Sequence, residues 1–166
     1  MAFLIKNVAR LPASGPNSAT PILLSQWIHV AKATATVPAT TTQNLFTISG
    51  GRCLVKLLLG EVTTIIQAQA NNLKMTSVPT TGSAVDVASN LDINGFEAGA
   101  LLVVEGDGTA MIGTSTGAGF APALNALPWV VPIGTLRCET SATNTGAIKW
   151  DLWYQPLDSS GRIVSA

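Results

Sequence analysis

The strictest pattern in the chain lies at residues 147–155, where Ile148, Trp150, Leu152 and Tyr154 alternate with Lys149, Asp151, Trp153 and Gln155. A repeat of two belongs to a β-strand, whose successive side chains leave opposite faces; on a helix the same apolar set would be scattered around the cylinder. Residues 27–37 follow the same logic. Trp27, His29, Ala31, Ala33, Ala35 and Val37 share one parity and Lys32, Thr34 and Thr36 the other, which predicts a strand with the first set toward a core. That placement reads His29 as a buried imidazole with one hydrogen bond.

Further strands are expected along the chain. Residues 45–48 and 52–59, separated by Ser49, Gly50 and Gly51, predict a hairpin, because adjacent glycines accept the positive φ angles of a tight turn. Cys53, Val55, Leu57 and Leu59 share one parity before Gly60, and Val62, Thr64, Ile66 and Ala68 share the other after it, which predicts a β-bulge at Gly60. Asn71 and Asn72 mark a turn, and residues 135–140 and 147–155 form two strands joined through 142–146. The middle, residues 79–119, carries only short apolar runs such as 100–104 among Gly, Thr, Ser and Asp. No long segment has amphipathic helical spacing, and residues 82–90 are the one place where a short helical turn is expected. The chain therefore predicts an all-β fold: an antiparallel β-sandwich, a jelly roll or a small barrel.

Its 166 residues fit one domain with an arm. Residues 11–22 contain Pro12, Pro16 and Pro21 with almost no periodicity, so residues 1–22 read as an extended N-terminal arm and 23–166 as the β-rich body. In the arm, Phe3, Leu4, Ile5 and Leu11 are apolar side chains on a segment too rich in proline to fold a core of its own. They are candidate interface residues.

Composition narrows the function. Only 11% of residues are charged, against the usual share of about 25%, while 47% are hydrophobic. Such a chain has too little charge to coat itself normally, which points to surface covered by other protein. Nine basic and nine acidic residues cancel, leaving no net positive field toward phosphates, so nucleic acid is not an expected partner. The uncharged stretch 108–136 is broken by Pro122, Pro128 and Pro132 with Gly113, Gly117, Gly119 and Gly134, the composition of turns and not of a membrane-spanning helix. Lys6 and Arg10 interrupt the apolar start, so no export signal is expected. Cys53 and Cys138 are too few for a disulfide framework and read as buried thiols, a single bridge between them being the alternative.

Three apparent motifs fail on chemistry. Gly113-Thr114-Ser115-Thr116-Gly117 fits the nucleophile elbow of a hydrolase, but the only histidine, His29, precedes the serine and no helix pattern follows it. The stretch from Asn90 through Asp92 and Asn94 to Gly95 matches the first half of a calcium loop, yet its twelfth position is Leu101 where a bidentate Glu is required. An Asx-rich turn is the expected structure there. Gly106-x-Gly108 and Gly117-x-Gly119 lack the third glycine of a dinucleotide fingerprint. No catalytic residue, metal ligand or cofactor is therefore expected. Trp150 reads as core; Trp27, Trp129 and Trp153 read either as core or as aromatic contacts at an interface or a sugar-binding face.

Gly134-Thr135-Leu136-Arg137-Cys138, Asn144-Thr145-Gly146, residues 148–158 and the terminal Ile163-Val164 resemble small virion proteins of tailed bacteriophages. The segments 48–55 and 60–67 are similar to the same group, within which the likeness is to capsid decoration, or cement, proteins. The resemblance implies a β-rich subunit, often a trimer, that sits on the exterior of an assembled icosahedral shell, binds the major capsid protein and ties capsomers together, having been made in the cytoplasm of the host bacterium. It carries no catalytic residue with it. A tail or fibre subunit and a carbohydrate-binding β-sandwich are the alternative readings.

Overall fold

The computed structural model describes residues 27–38, 40–117 and 128–166; the arm, with Phe3, Leu4, Ile5 and Leu11, lies outside the described residues. Among the described residues eleven strands form: β1 (Ile28–Thr36), β2 (Thr42–Ser49), β3 (Cys53–Thr64), β4 (Asn72–Pro79), β5 (Val85–Asp92), β6 (Leu101–Val104), β7 (Ile112–Gly113), β8 (Trp129–Val131), β9 (Gly134–Thr140), β10 (Ala147–Pro156) and β11 (Arg162–Ser165). They make two antiparallel sheets, one of six strands in the order β1-β10-β3-β6-β7 with β8 also on β3, and one of five in the order β11-β2-β9-β4-β5. Packed face to face they form an all-β sandwich.

The core lies between the sheets. Val55, Leu58, Val62, Trp150, Leu152 and Tyr154 from β3 and β10 meet Phe46, Ile48, Leu73, Met75, Leu136 and Cys138 from the other sheet. The alternation in β10 is realised as read: Ile148, Trp150, Leu152 and Tyr154 are all buried. Trp150 stands opposite Gly60 on β3. A Cβ on that glycine would come within 2.8 Å of the indole ring, so the largest core side chain lies flat on bare backbone. Cys53 and Cys138 are buried free thiols on opposite sheets, and burial pushes the Cys138 thiol up to about 12.

Four local expectations are corrected. Strands β2 and β3 do not form a hairpin; their turn at residues 50–52 carries the chain from one sheet to the other. The parity change in β3 falls at Lys56, not at Gly60: Val55 pairs with Tyr154 and Leu57 with Trp153, leaving Lys56 as the extra residue. Leu57 and Leu59 therefore turn outward and Leu58 inward. In β1, His29 and Ala31 face outward and Val30 packs on the core; the register shifts between Lys32 and Ala35, which returns Val37 to the interior. Residues 82–90 contribute strand β5 and no helical turn.

The turn between the sheets is stitched to the C-terminal end. Asp158 accepts hydrogen bonds from the backbone N–H of Arg52 at 2.7 Å and from its Nε and Nη2 at 3.2 and 3.0 Å. These bonds hold the Asp158 carboxyl at about 2, below its ordinary 3.8. A carboxyl depressed on folding stabilises the fold fully above its ordinary value and loses that contribution as pH falls toward the folded value. Asp158→Asn is accordingly expected to flatten the acid limb of a plot of melting temperature against pH between about 4 and 2. Parallel limbs for the two proteins would show that the pair does not stabilise the corner.

Candidate interaction surface

The two outer faces of the sandwich differ in chemistry. On the five-stranded sheet the outward positions include Lys74, Thr76, Thr135, Arg137 and Glu139, in register across β4 and β9. Lys74 bridges Asp86 and Glu139, each at 3.3 Å, and Arg137 meets Glu139 at 2.8 Å. This is an ordinary solvated face of an antiparallel sheet.

The outer face of the six-stranded sheet is apolar at its centre. Cross-strand rows run from His29 through Trp153 to Leu57, and from Ala31 through Asp151, Leu59 and Val103 to Ile112. Lys149, Glu61 and Leu101 form a third row, and Leu54 with Val130 extends the patch at the β8 end. Leu54, Leu57, Leu59, Leu101, Ile112 and Trp153 are partly buried, Val130 is exposed, and Val103 is 1% exposed without belonging to the core cluster. The polar groups are tied within the chain. Lys149 reaches Glu61 at 2.6 Å, the hydrogen bond that raises the lysine's pKa, and His29 Nε2 lies 2.7 Å from Asp151 Oδ1.

His29 is thus not the buried imidazole that its parity suggests. It is 46% exposed and stacks on Trp153, ring centroids 4.6 Å apart and planes 25° apart. Histidine and tryptophan meet because β1 and β10 pair them directly, and Asp151 binds the imidazole from two residues away on β10. Trp153 thereby stands fixed on the apolar face. Trp27 is partly buried just before β1.

Trp129 sits elsewhere. It begins β8, packs against the core, and has its ring against Gly106, whose added Cβ would fall 2.3 Å from the indole. Its Nε1 is buried without a hydrogen-bond partner among the described residues. The residue lines a cleft of about 290 Å³ with Pro79, Val85, Val87, Val130 and Pro132. Trp129 and Trp153 therefore do not form one aromatic platform of the kind a sugar ring stacks on.

The apparent motifs resolve into turns and edges. Ser115 follows β7 and His29 lies in β1, at opposite ends of the strand order, so four interstrand steps on the order of 15–20 Å part them. The backbone N–H of Gly117 donates to Glu97 Oε2 at 2.8 Å, and the Ser115 carbonyl accepts from the N–H of Glu97 at 2.9 Å. Asp92 Oδ1 accepts from the backbone N–H groups of Asn71 and Asn94 at 3.0 and 3.1 Å, the Asx turn expected from the sequence. Among the described residues no cluster of three or more metal-ligating side chains exists.

Sequence reasoning missed Leu57 and Leu59 as surface residues because the extra residue at Lys56 reverses their parity. A signal was present: residues 57–59 are three consecutive leucines, so some must face outward in any strand, and an antiparallel sheet with a solvated face would alternate instead. Comparison of the chain with protein-family models, curated proteins and solved structures finds no match.

Proposed function

We propose that the protein is a non-enzymatic structural subunit of a tailed-phage particle, a decoration or cement protein that binds the major capsid protein on the exterior of the assembled shell. The observation that carries this reading is the apolar outer face of the six-stranded sheet, set against a charge-paired face on the other sheet. A sandwich that works alone in water has no use for Leu57, Leu59 and Trp153 side by side on its surface, whereas a subunit of a permanent assembly does. The low charge and the sequence likeness to decoration proteins agree with that use. Residues 1–22, with Phe3, Leu4, Ile5 and Leu11, supply an apolar anchor toward the shell in this reading, and self-association, as a trimer first, follows from the same likeness.

Mixing the full-length protein with undecorated capsids and sedimenting the particles tests the reading. Saturable co-sedimentation at a fixed ratio, with a shell more resistant to heat, is the expected result. Absence of binding, or co-purification with tails, would end the decoration reading.

A further inference from the structure

We infer that the outer face of the six-stranded sheet is the surface through which copies of this chain bind one another. The inference rests on reading that face as an interface and names its occupant.

Three features select a second copy. The first is charge. A face with net charge repels its own duplicate, but here Glu61 is paired with Lys149 and Asp151 with His29 inside one chain, so two identical faces meet without like-charge conflict. The second is extent. Five strands about 4.8 Å apart, each contributing about six residues at about 3.3 Å, cover on the order of 500 Å². Two such faces together bury about 1,000 Å², the area at which a specific interface begins. The third is anatomy. Leu57, Leu59 and Val103 occupy the middle, Trp153 is held in a set orientation by His29, and the ion pairs lie to the sides. An apolar centre with an oriented aromatic and a polar rim is the layout of a self-associating surface.

The edge strand makes the face-on contact more favourable than growth at the edge. Lys32 of β1 occupies the inward-facing register position opposite Trp150 and extends its ammonium to the backbone carbonyl of Ala166. An inward charge on an edge strand blunts strand-to-strand pairing and leaves the face as the route to association.

Light scattering on a sizing column, with the full chain at micromolar concentration, is the test. The wild type is expected to run at a whole multiple of the chain mass. Leu59→Glu is expected to weaken association by about a hundredfold, because a carboxylate at the centre would be buried unpaired, while Thr135→Glu on the opposite sheet leaves the mass unchanged. Circular dichroism checks that both variants fold. Should Leu59→Glu not fold, Leu59→Cys treated with a short bis-maleimide is expected to give a covalent dimer where Thr135→Cys gives none, Cys53 and Cys138 being buried. A monomeric wild type, or an oligomer cross-linked through Thr135→Cys and not through Leu59→Cys, would overturn the inference. A monomer whose Leu59→Glu variant no longer sediments with capsids would leave the decoration reading intact and give the face to the shell. An oligomer dissociated by Leu59→Glu that binds no capsid would do the reverse.

Discussion

Trp150→Ala is expected to lower the unfolding free energy by about 3–5 kcal/mol, measured by denaturant titration followed by circular dichroism. The side chain is 2% exposed, on a strand paired to β1 on one side and β3 on the other, so its loss opens a cavity that neither neighbour can close by moving alone. A domain of this size has about 5–15 kcal/mol in total, so the variant should be marginal near body temperature. Gly60→Ala approaches the same ring from beneath, with its new Cβ 2.8–3.0 Å from indole carbons. It should cost about 1–3 kcal/mol by overpacking. Because the added methyl partly fills the space the indole leaves, the double variant is expected to lose less than the sum of the two. Additive losses would mean that the two residues do not share one packing site.

Gly50→Ala should cost about 3 kcal/mol or more, the second large effect. Two terms act at this residue. Its φ is +72°, which a side chain tolerates poorly. Its added Cβ would also lie 2.1 Å from the backbone carbonyl oxygen of Ser160, an atom that cannot swing aside. Gly82 offers the control. It too has a positive φ, of 102°, but nothing lies within 4 Å of its added Cβ, so Gly82→Ala should lose only the backbone term, about 1 kcal/mol. Equal losses at the two positions would show that the Ser160 contact is not rigid, and with it that the corner between the sheets is not locked to the C-terminal turn.

Fold class and most strand positions were legible because a period of two is a local property of the chain. The buried set Ile148, Trp150, Leu152 and Tyr154, the free thiols and the Asx turn at Asp92 all follow from nearest-neighbour chemistry. Partners were less legible. Residues 50–52 have the composition of a hairpin turn, yet a glycine corner looks alike whether the next strand returns beside the last or crosses to another sheet.

The interaction surface turns on a single residue. By itself the sequence determined that this chain is all β, short of charge, and over-supplied with apolar side chains for a solvated sheet. Only the tertiary structure decided where the surplus goes. The register of β3 against β10 leaves Lys56 unpaired, and that slip sends Leu58 into the core while turning Leu57 and Leu59 outward beside Trp153. It likewise moves His29 from its expected place inside to a stack on Trp153, because β1 pairs it there. Side-chain direction along a strand reverses with every inserted residue, and a bulge is chosen by what the partner strand can accept, so no local pattern can say which face of a leucine run is dry.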